Sequence, residues 1–445
     1  MIVQQEKTEE VQGEAGQVPK ASCWERWSRT ALLKRLEGLG GGRIVLRERG
    51  TRTVFGALRV DDTREPLEAE VTVRRPRFFR QAALGGSLGV ADSYLAGDWE
   101  CDDLTALIRI LLRDSVTGAR AEGRLSPLWR LGSRLWHCLR PNSRSGSRRN
   151  IAAHYDLGNE FFQLMLDDTL AYSSGIFLSP QADLREASVE KMDRICRKLD
   201  LRSDDEVLEI GTGWGGWAMH AAANYGCRVT TTTISQRQHD LARRRIEEAG
   251  LADRITLLLE DYRDLRGTFD KLVSVEMIEA VGHRYFDDYF GACSRLLRPD
   301  GSMSLQGIVM PDKHYEPYLR SVDFIQRYVF PGGCLPSVGA IVGSMARATD
   351  LRLVHLEDFG PHYAETLRAW RTRFRERLDD VRGLGYDERF IRLWHYYLAY
   401  CEASFEERYI GVVQVQFDKP ECRRDPISIG RRAADCAATS ERGTR

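Results

Sequence analysis

The chain has 445 residues, enough for two or three domains, and its 65 lysines and arginines are balanced by 65 aspartates and glutamates, so net charge does not favour nucleic acid as a partner. Its ten cysteines include no Cys-x-x-Cys pair, which fits neither a zinc site nor a disulfide framework and favours a reducing cytoplasm without a bound metal. The sequence contains no run of about 18 apolar residues, so no membrane-spanning helix is expected.

The N-terminal third predicts a small α+β domain. Residues 1–20 are polar and acidic rather than signal-like, and disorder is expected there. Within residues 21–135, segments 43–47, 53–56 and 69–73 alternate like short strands, and helices are expected near 78–84 and 104–112. This organisation predicts a separate N-terminal domain.

An arginine-rich stretch follows at 109–149, with ten arginines against two acidic residues and with tryptophans and leucines interleaved. Arginine on one face and Trp and Leu on another is typical of an amphipathic helix at a membrane interface. The alternative is a solvated surface helix that ends in a basic linker at 136–150. Nucleic acid is a weaker interpretation, because no known nucleic-acid motif accompanies the charge.

From residue 151 to 417 apolar strands alternate with helices, which predicts a doubly wound, mostly parallel α/β sheet. The strands are expected at 206–211, 228–233, 255–259, 271–276 and 302–309, and the separating helices at 216–224, 236–249 and 285–297. Segments 352–357 and 412–417 are expected to pair antiparallel at the sheet edge. An aromatic-rich insert at 362–409 predicts helices that cover a pocket, and residues 418–445 predict a flexible tail.

The segment Val207–Gly216 runs from an apolar strand through a glycine-rich turn into a predicted helix. Such a turn brings the backbone and a helix N-terminus close to a nucleotide-like ligand. The spacing also satisfies the dinucleotide pattern, but the next strand ends without the carboxylate that would hold a ribose. Glu209 instead precedes the glycines, as in S-adenosylmethionine-dependent methyltransferases, so methyl transfer is favoured over a plain glycine-rich turn.

From residue 154 onward, motifs in order resemble the cyclopropane-fatty-acyl-phospholipid synthase family, which includes the mycolic acid cyclopropane synthases. The motifs are His154–Phe162, Tyr172–Phe177, the glycine turn with Trp214, Thr233–Gln238, Val275–Gly282, Phe330–Ser337, Tyr363 with Thr366–Trp370, and Tyr397–Phe405. The resemblance covers about 150–417, and Gly85–Glu100 resembles a signature of the family's N-terminal lipid-binding domain. It implies a class I methyltransferase fold.

The resemblance also implies which residues hold S-adenosylmethionine. They are Tyr172, Ser173, Glu209, Gly211, Gly213, Gly215, Thr233, Ser235, Gln238, Asp261 and Tyr262. The glycines would admit the methionine part, the neutral polar side chains after the second strand would bind the ribose, and Asp261 with Tyr262 would contact the adenine. For each polar residue alone, a local turn or helix cap is the alternative.

The catalytic base implied by the resemblance is a bound bicarbonate. Its ligands map onto Ser174, Glu279, Gln306, Tyr363 and the backbone at Ile308, where serine and glutamine replace the family's usual cysteine and histidine. Both substitutes donate hydrogen bonds, but glutamine takes no positive charge. Cys401 falls at the family's proposed active-site cysteine, with a buried inert thiol as the alternative. Glu276 is either a supporting residue or an ordinary strand-end carboxylate.

We therefore expect an alkene in an unsaturated phospholipid acyl chain to attack the sulfonium methyl group, giving a carbocation that must lose a proton. Cyclopropane formation is the leading outcome, and a methylene or methyl branch is the alternative. A small-molecule N-methyltransferase and a catalytically silent membrane-binding module are more distant alternatives. The expected location is the inner face of the cytoplasmic membrane, as a peripheral protein, with a homodimer left open.

Overall fold

The computed structural model describes residues 5–7, 23–58, 65–117, 157–425 and 427. The chain divides into two compact units, each composed of several segments. One comprises Met1–Trp136, Ser321–Val329 and Phe374–Tyr409, and the other comprises His137–Arg320, Phe330–Arg373 and Ile410–Arg445. The first unit thus combines the predicted N-terminal domain with two segments that the sequence pattern assigns to the catalytic region.

The secondary structure agrees with most of the predicted elements. The strands are β1 (Gln5–Lys7), β2 (Arg43–Glu48), β3 (Thr51–Gly56), β4 (Glu68–Val73), β5 (Trp99–Cys101), β6 (Glu206–Ile210), β7 (Arg228–Thr232), β8 (Ile255–Leu258), β9 (Phe269–Val275), β10 (Leu297–Val309), β11 (Arg352–Asp358) and β12 (Gly411–Asp418). The α-helices are α1 (Cys23–Leu36), α2 (Arg77–Leu95), α3 (Leu104–Thr117), α4 (Asn159–Met165), α5 (Leu184–Leu199), α6 (Gly216–Tyr225), α7 (Gln236–Glu248), α8 (Phe286–Leu296), α9 (Asp312–Leu319), α10 (Phe324–Tyr328), α11 (Val338–Ala348), α12 (Gly360–Glu376), α13 (Leu378–Gly383) and α14 (Glu388–Glu406).

The first unit contains a five-stranded sheet in the order β1–β3–β2–β4–β5. Strands β2 and β3 form a hairpin whose turn residues, Arg49 and Gly50, both have positive φ, as a type I′ turn requires. The predicted strands at 43–47, 53–56 and 69–73 are confirmed. Strand β1 lies within residues 1–20, for which the sequence predicts disorder, but it pairs antiparallel with β3 and is an edge strand of the sheet.

Helix α14, from the aromatic-rich insert, packs on α3 and α2 of the first unit. It buries Ile391, Trp394 and Leu398 on one face. Ion pairs from Arg109 and Arg113 to Glu407, at 2.8 and 2.9 Å, attach α3 to the end of α14. The insert at 362–409 is helical as predicted, but its last helices group with the N-terminal elements. The rest of the arginine-rich stretch, from 118, and the predicted basic linker at 136–150 lie outside the described residues.

The second unit is a doubly wound α/β domain, as predicted. Its seven-stranded sheet has the order β11–β12–β10–β9–β6–β7–β8, and β10, β9, β6, β7 and β8 are parallel. Strand β12 pairs antiparallel with both β10 and β11, which confirms the expected antiparallel closure. The loops that follow β6, β7, β8 and β9 consequently lie at one edge, where open α/β sheets bind ligands.

Apolar clusters cover both faces of this sheet. One includes Leu272, Phe290 and Leu305, and the other includes Ile195, Trp217 and Val229. The apolar residues of β6 and β9 lie between these clusters, and they made both strands visible in the sequence. None of the described helices is both long and apolar enough to cross a bilayer.

The beginning of the predicted flexible tail is attached to the second unit. The backbone N–H of Lys419 donates to the carbonyl oxygen of Gly301 at 2.9 Å, and Arg424 forms an ion pair with Asp418 at 2.8 Å. The first contact continues the pairing of β12 with β10 by one residue, and the second connects Arg424 to the end of β12. Residue 426 and residues 428–445 lie outside the described part of the chain, so the prediction of flexibility there stays a prediction.

Candidate active site

The glycine turn, residues 211–215, connects β6 to α6. Gly211, Gly213 and Gly215 have φ values of 103°, 54° and 86°, a region that favours glycine. A Cβ placed on Gly213 would meet no atom of the described residues within 4 Å. The turn therefore exposes its backbone, and Gly215 is the N-cap of α6, whose first N–H groups can face a ligand.

Glu209 is the second-last residue of β6, just before the glycines, and is 2% exposed. Its carboxyl group accepts a hydrogen bond from the hydroxyl of Thr231 at 2.6 Å, and that hydroxyl is 2.7 Å from the hydroxyl of Thr212. Burial raises the pKa of Glu209 to about 8. The group therefore holds a proton near neutral pH, and the two threonines connect it to the glycine turn.

The predicted ribose ligands follow β7 and bond to one another. The Thr233 hydroxyl donates to the side-chain oxygen of Gln238 at 3.0 Å, and Ser235 is the N-cap of α7. Asp261, after β8, accepts two hydrogen bonds from the guanidinium of Arg263, at 2.8 and 2.6 Å. That guanidinium lies 5.5 Å from the ring centre of Tyr262. We call residues 209–215, 233–238 and 261–262 the cofactor rim.

An aromatic row leads from a predicted cofactor residue to a predicted catalytic one. Tyr172 stacks on Trp370, with ring centres 5.2 Å apart, and Trp370 meets Tyr363 edge-on at 6.1 Å. Ser173, beside Tyr172, accepts a hydrogen bond from the Lys191 ammonium at 2.8 Å. These residues belong to distant parts of the sequence and are brought together within the second unit.

Lys191 is a buried cation of the site that sequence reasoning missed. It is 2% exposed, and burial lowers its pKa against the opposing effect of Glu276, Asp167 and Glu209. The signal for it was present: Lys191 falls on the buried stripe of α5, between Ser188 and Met192. A charged side chain on an apolar stripe calls for a partner, since isolated buried charges are costly.

The predicted anion ligands converge on the carboxylate of Glu276. It accepts hydrogen bonds from the Ser174 backbone N–H at 3.0 Å, the Gln306 side-chain amide at 2.8 Å and the Tyr363 hydroxyl at 2.6 Å. We call Ser174, Glu276, Glu279, Gln306 and Tyr363 the carboxylate cluster. The centre of the cluster is Glu276. For this residue the sequence analysis left two alternatives open, a supporting role and an ordinary strand-end carboxylate.

Glu279 occupies a different environment from Glu276. One of its oxygens accepts a hydrogen bond from the backbone N–H of Ile308 at 2.5 Å, and the other is buried without a hydrogen-bond partner among the described residues. Burial, aided by the nearby Glu276, raises the pKa of Glu279 to about 8. Two neighbouring carboxyl groups in such different settings can be one ionised and one protonated at neutral pH.

The amide of Gln306 has a defined orientation because of two residues behind it. Gln306 on β10 is directly opposite Gln414 on β12, and the Gln414 amide nitrogen donates to the Gln306 oxygen at 3.0 Å. The Gln414 oxygen in turn accepts from the Lys198 ammonium at 2.8 Å. Since an ammonium group only donates, this chain of contacts makes Gln306 present its NH₂ group to Glu276.

The residues present do not fit a bound bicarbonate. Its implied ligands Ser174, Gln306 and Tyr363 donate to Glu276, and the N–H of Ile308 donates to Glu279. The backbone N–H of Ser174 and the Tyr363 hydroxyl each have a single proton, and both are used. The open glycine turn, in contrast, does fit S-adenosylmethionine.

Cys401 is not among these residues. It lies on α14 in the first unit, and burial raises the pKa of its thiol. A raised pKa lowers the fraction of reactive thiolate, which favours the alternative of an inert thiol. A catalytic role for Cys401 stays a prediction.

Comparison with known proteins gives the same assignment as the glycine turn and the motif order. Residues 142–415 match the family model described as mycolic acid cyclopropane synthetase. The chain belongs to this family. It is 40% identical over 369 residues, 79% of this chain and 83% of the relative, to the tuberculostearic acid methyltransferase UfaA1 of Mycobacterium tuberculosis (strain ATCC 25618 / H37Rv). It is 38% identical over 358 residues, 79% of this chain and 88% of the relative, to the cyclopropane-fatty-acyl-phospholipid synthase of Escherichia coli (strain K12).

A solved structure of the family supports the fold and the cofactor. The crystal structure of mycolic acid cyclopropane synthase CmaA1 complexed with SAH and CTAB is similar with a TM-score of 0.58 and 30% identity, covering 61% of this chain and 98% of that one. The protein is therefore an S-adenosylmethionine-dependent lipid methyltransferase of the cyclopropane synthase family, with the class I methyltransferase fold.

Proposed function

We propose that the protein alkylates the double bond of unsaturated phospholipid acyl chains at a membrane surface, with a cyclopropane ring as the leading product. The Escherichia coli relative is named for acting on fatty-acyl phospholipid, and the match to it extends over 88% of its length. The relative named a tuberculostearic acid methyltransferase is matched at nearly the same identity. Phospholipid as substrate is therefore supported by one of two similar relatives.

The observation that carries the proposal is the position of the carboxylate cluster beside the cofactor rim. Strands β6 and β9 are parallel neighbours, and the missing Cβ of Gly211 would lie 3.4 Å from the Cγ of Met277, the residue after Glu276. Bound S-adenosylmethionine supplies an electrophilic methyl group at this edge. A buried carboxylate next to it can remove the proton that an alkylated alkene has to lose.

The surroundings of the cluster favour a carbocation over a nitrogen nucleophile. An amine keeps its charge in a stable ammonium product, whereas a carbocation requires exclusion of water and a nearby base. The row of Tyr172, Trp370 and Tyr363 offers aromatic faces that can stabilise positive charge without forming a covalent adduct. These features favour an alkene substrate over the small-molecule N-methyltransferase alternative.

A methyl or methylene branch is the second candidate product. All outcomes begin with the same attack on the methyl group and differ in what the carbocation does next. Loss of a proton from the transferred methyl group closes the ring, and loss from the chain leaves a methyl branch on an alkene. A hydride shift to the cationic carbon, followed by loss of a proton from the transferred methyl group, leaves a methylene branch. The printed names of the two relatives, a methyltransferase and a cyclopropane synthase at 40% and 38% identity, keep this candidate open.

The test uses purified protein, S-adenosylmethionine with a trideuterated methyl group, and vesicles of a monounsaturated phosphatidylglycerol. We expect the label in the acyl chain with two deuterons retained, because ring closure removes one. Retention of all three deuterons would contradict the ring and support the methyl branch. A methylene branch also keeps two deuterons, and it has no vinyl protons because both deuterons lie on its methylene carbon. Proton nuclear magnetic resonance of the isolated fatty acid must therefore show the two methine protons of the ring.

Two controls address the substrate and the catalytically silent alternative. Vesicles of the matching saturated phospholipid should take up no label, since they lack the alkene. The free monounsaturated fatty acid should be a poorer substrate than the phospholipid, and equal rates would contradict the phospholipid assignment. Absence of S-adenosylmethionine binding by isothermal titration calorimetry would favour a silent membrane-binding module.

A further inference from the structure

The carboxylate of Glu276 is held as a bound anion would be held. Three donors from three separate segments, at 3.0, 2.8 and 2.6 Å, contact its two oxygens. These donors belong to Ser174, Gln306 and Tyr363, three of the residues that the family resemblance assigns to bicarbonate. A glutamate carboxylate and bicarbonate both present planar, anionic O–C–O groups, so the same donors suit either one.

The backbone at Glu276 is built to place the carboxylate among these donors. Glu276 has φ of 50°, in the left-handed region that is unfavourable for residues with a Cβ. Such a conformation costs about 1–2 kcal/mol and persists where the surrounding structure imposes it, often at functional sites. Here the N–H of Glu276 donates to the carbonyl oxygen of Gln306 at 2.8 Å, which continues the β9–β10 pairing by one bond. The side chain therefore leaves the sheet in a fixed direction.

The residues around Glu276 suit an ionised carboxylate that can still accept a proton. Burial raises the pKa of Glu276, while the hydrogen bonds from Tyr363, Ser174 and Gln306 and the charge of Lys191 oppose that effect. The orientation of Gln306 adds to this arrangement, because Lys198 and Gln414 keep its NH₂ group on the side of Glu276. Histidine at residue 306 is thus not required to hold a negative charge here.

We propose that Glu276 is the catalytic base of this protein and takes the place of bicarbonate, so that turnover needs no added anion. This inference rests on the proposed function. The alkene π electrons form a bond to the methyl carbon as its bond to sulfur breaks, leaving a carbocation and S-adenosylhomocysteine. Glu276 then takes a proton from the new methyl group, and the freed C–H electron pair closes the ring. Glu276 returns the proton to solvent after the product leaves.

The first experiment compares the rate of the wild-type protein in argon-purged buffer, free of carbon dioxide, with the rate in buffer containing added bicarbonate. We expect equal rates of label transfer from S-adenosylmethionine to monounsaturated phospholipid. A rate that falls severalfold in purged buffer and recovers with bicarbonate overturns the proposal while leaving the proposed function intact. Absence of transfer in both buffers overturns the proposed function, and this inference with it.

The second experiment uses two substitutions at the same position. Glu276→Gly removes the carboxylate, suits the positive φ and frees the three donors, so we expect a loss of about 10²–10⁴-fold in purged buffer and partial recovery with bicarbonate. Glu276→Gln fills the same space with an amide, so we expect a similar loss without recovery. Wild-type activity of either variant in purged buffer overturns the proposal.

Binding of S-adenosylmethionine, measured by isothermal titration calorimetry, separates loss of the base from loss of the fold. We expect both variants to bind the cofactor within about threefold of the wild-type affinity, since Glu276 does not belong to the cofactor rim. A merely structural role for Glu276 would instead weaken cofactor binding together with turnover and would give no recovery with bicarbonate. That result overturns the proposal.

Discussion

The cofactor rim and the carboxylate cluster lie at the same edge of one sheet, but different contacts support them. In the rim, Thr233 bonds to Gln238 and Asp261 to Arg263, five and two residues apart. In the cluster, Glu276 accepts from Ser174 and Tyr363, which are 102 and 87 residues away. These two rim contacts are thus local turns and caps, whereas the cluster exists only when distant segments have folded together. Substitutions in the two regions should therefore change different quantities.

Among the substitutions that compare the two regions, the largest effect is expected from Gly213→Val in the rim. A side chain at a φ of 54° is strained, and it would project into the open side of the turn. We expect the dissociation constant for S-adenosylmethionine to rise about 100-fold in calorimetry, because the valine side chain occupies the space in which the cofactor would contact the backbone of the turn. Gly250→Val is the matched control, since Gly250 has a φ of 66° and also faces open space among the described residues. Equal cofactor affinity of the two variants would contradict the assignment of the turn.

The next effect is expected from Tyr363→Phe in the cluster. The change keeps the ring against Trp370 and removes the hydrogen bond to Glu276. A hydrogen bond to a charged group contributes about 1.5–3 kcal/mol, so kcat should fall about 10- to 100-fold with cofactor affinity unchanged. Tyr225→Phe is the control, because Tyr225 donates to Asp193 at 2.7 Å elsewhere in the same unit. If Tyr363→Phe weakened cofactor binding and left kcat normal, the cluster would not act separately from the cofactor rim.

A smaller effect is expected from Gln414→Leu, which acts through Gln306. Without Gln414 the amide of Gln306 can turn its oxygen toward Glu276, and a neutral hydrogen bond of about 1 kcal/mol corresponds to about a fivefold lower kcat. Gln416→Leu is the control, because Gln416 is also buried on β12 but donates to Ser304 at 2.6 Å. Steady-state kinetics should show normal kcat for the control. Equal losses in both variants would indicate a general effect on the sheet.

The last prediction concerns stability instead of activity. It describes how the free energy of unfolding of the cofactor-free protein depends on pH. Burial raises the pKa of Glu279 from 4.5 to about 8, so between these values the folded protein keeps a proton that the unfolded chain has lost. The free energy of unfolding should therefore fall as pH rises through this window. Glu279→Gln should make the fall shallower in urea titrations at several pH values, although Glu209 still contributes. The exposed control Glu247→Gln should keep the wild-type dependence of the free energy of unfolding on pH. If Glu279→Gln also kept the wild-type dependence, Glu279 would not be the group that holds the proton.

Much of the second unit could be predicted because its signals are local. Apolar and β-branched residues marked β6 to β10, the glycines marked the turn, and Ser235 was a candidate both for the cofactor and for a helix cap. The division of the aromatic insert could not be predicted, since the apolar face of α14 does not indicate which partner it packs against. Lys191 was visible as a charge on an apolar stripe, but its partner Ser173 was not.

The sequence by itself determined the doubly wound sheet, the cofactor turn and the family, because periodicity, glycine spacing and motif order are properties of neighbouring residues. The tertiary structure alone decided which group occupies the centre of the anion ligands. Ser174, Glu276, Gln306 and Tyr363 meet through strand pairing and helix packing, and their hydrogen bonds depend on distances in space. These three donors are occupied by the chain's own carboxylate, and the φ of 50° at Glu276 directs its side chain toward them.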